Sequence, residues 1–225
     1  MTRDESEETR PQTLAELGYA ASADAARPHA AGGTAGEPHG WGRMRHALVT
    51  PDDRADAWHR TWQWVAAAGI ALLLAWVTST REGWVPLLSS FDLGVHEFGH
   101  LLTMWAPDLV VWSAGSFLQV AAPLALGTYF LYRRDRFAVI LMVAWAAESL
   151  HNVSIYAGDA RDMVLPLFGD DGSGAGHDWH NILGRLDLLE STDTITRFMQ
   201  LGSAMLFVAA LGLAAWWFVR ARQRA

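Results

Sequence analysis

Four apolar stretches constrain this chain more than any other feature: Trp62 to Thr78, Leu109 to Tyr132, Phe137 to Ala157 and Phe198 to Val219. At a rise of about 1.5 Å per residue, roughly 20 residues of helix span the ~30 Å of a bilayer's hydrocarbon core. In that solvent every backbone N–H and C=O must find its partner within the protein, which leaves only helices and closed barrels. These runs are continuously apolar rather than alternating, so they read as helices. A fifth stretch, Trp84 to Ala106, has similar length and is more polar. The expected fold is an all-α integral membrane protein with four transmembrane helices plus a partly inserted fifth.

The remaining polarity is concentrated in blocks. Hydrophobic residues make up 51% of the chain and charged ones 18%, the balance of a lipid-embedded body with polar loops and a tail. Residues 1–57 are rich in Ala, Gly, Pro and carboxylates, with Asp4, Glu5, Glu7 and Glu8 close together, and cannot bury enough surface to fold alone. They are expected to form a disordered cytoplasmic tail, with residues 58–225 as a helical membrane domain. The net charge of −7 makes a nucleic-acid partner unexpected; the partners expected are the lipid bilayer and a membrane-protein substrate or partner subunits. Without cysteine there are no disulfides, thiolate metal sites or cysteine nucleophiles.

Arginine placement sets the expected topology. Arg54 and Arg60 precede the first span, Arg133, Arg134 and Arg136 join the second span to the third, and Arg220, Arg222 and Arg224 end the chain. By the positive-inside rule all three clusters belong in the cytoplasm, together with both termini. Five complete crossings would violate that rule. A fifth helix that inserts partway and returns satisfies it, and puts the loop 158–197 on the outer side with that helix. Within that loop Asn181 to Arg197, with Leu183, Leu186, Leu188 and Leu189, is expected to form a short amphipathic helix on the outer surface.

The polar fifth stretch holds His96-Glu97-Phe98-Gly99-His100. On a helix the two histidines lie four residues apart on one face, where both imidazoles can ligate one ion, and Glu97 is placed to act as general base toward a water. A catalytic zinc takes a third protein ligand. His151, three residues after Glu148 at the outer end of a membrane helix, and Asp159, where the chain leaves the membrane, are the leading candidates. The run His177-Asp178-Trp179-His180 ranks next, because a Gly-rich stretch precedes it and a mobile segment fixes a ligand poorly. Asp92, one helical turn before His96, can hydrogen-bond that imidazole as an outer partner or cap the helix.

The order HEFGH, then Gly115-Ser116-Phe117-Leu118-Gln119 through Pro123 in the next apolar helix, then Asn152 to Arg161 after a third, resembles the core of the site-2 protease family of intramembrane metalloproteases. The similarity covers roughly Asp92 to Asp162. It implies Zn2+ held by His96 and His100 with Asp159 as third ligand, Glu97 as catalytic base, and hydrolysis of peptide bonds near the membrane surface. Gln119 or Asn152 is then placed to bind the oxyanion or align an extended substrate.

Two other classes fit the same residues. One is a non-catalytic membrane subunit of a larger complex that retains the metalloprotease scaffold. The other is a carboxylate di-metal oxidoreductase built on the two Glu-x-x-His pairs, Glu97 with His100 and Glu148 with His151.

Overall fold

Each apolar stretch forms one helix, and the polar fifth forms a shorter one. The computed structural model describes residues 57–81, 83–165 and 176–223, with no strand among them. In chain order these are α1 (Ala57–Thr80), α2 (Leu88–Thr103), α3 (Asp108–Tyr132), α4 (Arg136–Gly158), α5 (Asp178–Arg185), a single 3-10 turn (Leu189–Ser191) and α6 (Thr192–Arg222). The expected tail lies outside the described residues apart from Ala57. Four helices are long and apolar enough to cross a membrane: Thr61–Thr80, Asp108–Tyr132, Arg136–Gly158 and Leu189–Arg222.

The ends of these helices follow local chemistry. At the close of α3, Arg134 takes a left-handed φ of 62°, while its N–H reaches the Leu131 carbonyl and that of Asp135 reaches Phe130, so the last carbonyls are satisfied before the chain reverses. Asp135 then caps α4, its carboxylate accepting the Ala138 N–H at 3.0 Å. The same left-handed device ends α5 at Asp187, with Leu188 N–H reaching the Leu183 carbonyl. This break corrects one expectation of the sequence. A single surface helix over Asn181 to Arg197 does not form: α5 stops at Arg185, and the polar residues from Thr192 onward begin α6. Hydropathy registers only the apolar part of that helix, and the apolar run begins at Phe198.

α4 is the central helix, with half of its apolar window buried against 22% for each of the other three. At one end of the bundle it packs with α1 and α6 through Trp64, Ala67, Ala71, Val139, Ile140, Ala144, Ala210, Ala214 and Trp217. Alanines let the three backbones approach, and two tryptophans, ring centroids 5.6 Å apart, fill the remaining width. Toward the outside the helices carry large apolar side chains, among them Leu72, Leu73 and Trp76 on α1, Phe117 on α3, and Phe198, Leu201 and Met205 on α6. Such a surface suits lipid better than water.

The α2–α3 hairpin lies on another side of α4. After α1 the chain turns at Gly83, whose φ of +79° and contact with Ile155 leave no room for a side chain. Gly83 therefore sits level with residues 151–155 near the end of α4. The chain then descends to Leu87, which takes a left-handed φ of 67°, and α2 climbs back alongside α4: Asp92 meets Trp145 and Ser149, and His96 meets Tyr156. α2 thus starts partway down the bundle and leaves at the end where α1 came out.

Candidate metal centre

Small residues bring the two imidazoles together. α2 and α3 run antiparallel, and a Cβ on Gly99 would come within 2.5 Å of the Ala114 carbonyl oxygen, so the backbones touch there. One residue further, a Cβ on Gly115 would lie 2.5 Å from His96 Nε2 and 2.6 Å from His100 Nε2. Both ring nitrogens converge over the bare backbone of Gly115. Gly115→Ala is expected to push them apart and weaken binding of any divalent metal the group holds by roughly 10–100-fold, the scale seen when an outer partner of a ligand is lost. Equilibrium dialysis of the purified variant checks this; unchanged affinity removes the role given to Gly115.

The hydrogen bonds decide which way each ring faces. His100 Nδ1 lies 2.8 Å from the Val111 carbonyl oxygen, which only accepts, so Nδ1 is a donor and Nε2 faces Asp178. For His96 the assignment passes through two amides. The Gly83 carbonyl accepts from Asn152 Nδ2 at 3.4 Å, so Asn152 Oδ1 faces Gln119 Nε2 at 3.1 Å, and Gln119 Oε1 faces His96 Nδ1 at 3.2 Å. His96 Nδ1 therefore donates outward, and its Nε2 faces Asp178.

Asp178, at the start of α5, completes the group. Its Oδ2 lies 3.2 Å from His96 Nε2 and 3.1 Å from His100 Nε2, and the three ligand atoms all fall within 4.8 Å of one another. With each Nδ1 engaged elsewhere, the two Nε2 atoms and the carboxylate oxygen are drawn together either by a proton, as imidazole–carboxylate ion pairs, or by a cation held between them. Around a tetrahedral ion with ligands at ~2.0 Å, neighbouring ligand atoms stand about 3.3 Å apart, close to what the two imidazole–carboxylate pairs show. The residues fit a small divalent ion. Among the described residues this is the one group of three such ligands.

A strap from the end of α4 holds Asp178 in place. The buried His177 caps α5 by accepting the His180 N–H on Nδ1 at 3.2 Å, so its Nε2–H donates to Asp159 Oδ2, also at 3.2 Å. Burial lowers the His177 pKa from its ordinary value, in keeping with this neutral form. Asp159 is gripped from its other side by the N–H groups of Val164 and Leu165 at 2.9 and 3.0 Å. His180 Nδ1 donates to the Ala160 carbonyl at 2.8 Å, and Trp179 Nε1 donates to Ser116 Oγ at 3.0 Å. Tyr156 accepts the Asp178 N–H at 2.9 Å and donates back to Oδ2 at 3.4 Å.

Several expected roles change. Asp159 lies with His177 instead of with the two α2 histidines, and His151 lies against Gly83, so neither joins the ligand group. Asp92 does not reach His96; it accepts from Trp145 Nε1 at 2.8 Å and Ser149 Oγ at 3.4 Å, and Gln119 takes the place of outer partner. Gln119 hydrogen-bonds both His96 and Asn152, so the two amides are engaged with each other and with that imidazole. Glu148 is enclosed beside Asp92, so the second Glu-x-x-His pair assembles no metal group among the described residues. Glu97 is exposed on α2, directly after His96 in the chain.

Asp178 was legible only as a later candidate. The signal that favours it is local: His177 at a helix N-cap, with Asp178 in the first turn, makes a rigid start of helix out of what reads as the end of a flexible loop. Comparison of the chain with protein-family models, curated proteins and solved structures gives no match.

Proposed function

We propose that this chain is an integral membrane zinc hydrolase acting on peptide bonds close to the membrane surface, with His96, His100 and Asp178 holding the ion. The observation that carries the reading is the convergence of three ligand atoms at 3.1–3.2 Å along the two imidazole–carboxylate pairs, with both histidines fixed by outer hydrogen bonds. Two imidazoles and one carboxylate are a donor set that suits zinc, and when a coordination position is left open such a set is a hydrolytic one.

A zinc ion bound there supplies Lewis acidity toward a carbonyl and a water. The rest is done by side chains. Glu97, exposed beside the site, takes the proton of the attacking water and returns it to the leaving amine. Gln119 and Asn152 keep the His96 ring in one tautomer and orientation, the Val111 carbonyl does so for His100, and Tyr156 holds the Asp178 carboxylate.

Depth supports a surface-near substrate. Val111 lies three residues from the start of α3 and Tyr156 two residues from the end of α4, so the group sits within roughly 10 Å of one end of the bundle. In a bilayer, α2 is then a re-entrant helix that lowers its ligands just below the headgroups, where water and an unwound peptide both reach. Metal analysis of the purified full chain tests the reading. One zinc per chain is expected; no bound metal, or two irons, overturns it.

A further inference from the structure

Deeper in the bundle, away from the metal group, two acids face each other with nothing to neutralise them. Asp92 on α2 and Glu148 on α4 are both fully enclosed, at 0% exposure. Asp92 Oδ1 accepts from Trp145 Nε1 and Ser149 Oγ, which lie on α4 three residues before and one after Glu148. Asp92 therefore lies over the part of α4 that carries Glu148, so the two carboxyls adjoin, with Ser89 of α2 also beside Glu148. Asp92 Oδ2 and both oxygens of Glu148 are buried without a hydrogen-bond partner, and among the described residues neither acid forms an ion pair.

Two ionised carboxylates cannot share such a place. Enclosed charge without a counter-ion costs several kcal/mol, and although Trp145 and Ser149 donate to Asp92, two like charges side by side add their repulsion. One positive charge between the oxygens removes the conflict. A metal cation is the poorer candidate, because hard cations gather six or more oxygens, often including waters, and this site is closed to solvent and leaves three carboxylate oxygens unoccupied. A proton needs one donor oxygen and one acceptor. We propose that Asp92 and Glu148 form a proton-binding acid dyad in which a single proton is held between the two carboxyls. The O–H of one then donates to the other, while the Trp145 and Ser149 donors hold the remaining negative charge on Asp92. The dyad ties the inner half of the re-entrant helix to α4, one helical turn from His96.

Infrared spectroscopy of the purified full chain reads the dyad directly and does not depend on hydrolytic activity. Wild-type protein at neutral pH is expected to show the C=O stretch of a buried protonated carboxyl, and both Glu148→Gln and Asp92→Asn are expected to lose it. Glu148→Gln should keep a melting temperature near that of wild type, because its carboxamide N–H donates to Asp92 as the acid O–H did, whereas Glu148→Ala should melt lower. Absence of the band in wild type, or a band that persists in both variants, overturns the proposal. Stabilisation of wild type by added sodium or calcium that Glu148→Gln abolishes also overturns it, in favour of a metal cation.

Discussion

Asp178→Ala is expected to abolish the proposed metal binding, with zinc affinity falling by more than about 100-fold, beyond the roughly 10–100-fold typical of losing an outer partner. The carboxylate supplies the only negative charge of the ligand group, and without it the two neutral imidazoles offer a divalent ion two bonds and no compensation. Asp159→Asn provides the contrast. Asp159 receives three donors, from His177, Val164 and Leu165, and reaches the metal group only by steadying the segment that carries Asp178. Its loss belongs in the roughly 10–100-fold range. Zinc titration of the two variants, with cobalt absorption as a second readout of ligand geometry, ranks them. Retained binding in Asp178→Ala together with loss in Asp159→Asn reverses the ligand assignment.

On the proposed hydrolase mechanism, Glu97→Gln is expected to abolish peptide cleavage while leaving the proposed zinc site filled. The carboxamide has nearly the same shape as the carboxylate and cannot take a proton, and losing general base catalysis lowers rates by about 10²–10⁴-fold. Glu97 is exposed and outside the ligand group, so metal content should match wild type. The measurement is cleavage of a membrane-anchored peptide by reconstituted protein, followed by mass spectrometry, alongside metal analysis of the same samples. Peptide cleavage that persists at the wild-type rate removes Glu97 from the chemistry, and loss of metal in this variant shows a structural role instead.

The dependence of these predictions on neighbours shows why part of the site was hidden in the chain. His96 and His100 are one helical turn apart, so any helix brings them together, and their spacing is visible in the letters. Asp178 stands 82 residues from His96 and meets it only because α5 docks against α3 and α4 through Trp179 and Tyr156. Asp159 and Asp178 are both acids near the same end of α4, and nothing in their local sequence says which one points at the metal. The choice falls to His177, whose ring occupies Asp159 and whose place at the N-cap of α5 directs the next residue toward the histidines. Asp92 misled for a related reason: its spacing from His96 is right for a hydrogen bond along the helix, yet α4 offers it Trp145 and Ser149 instead.

The amino-acid order by itself determined the helical class, the number of long apolar helices and the pairing of two imidazoles on one turn, because each depends on composition or periodicity within a single segment. Tertiary structure alone decided which acid joins the two histidines, the outer hydrogen bonds of both rings and the enclosure of Asp92 with Glu148. Those depend on which groups from distant segments meet, as the α2 and α3 backbones do at Gly99 and the two imidazoles do over Gly115. Close approach is a property of surfaces in contact, and no window along one chain segment contains both surfaces.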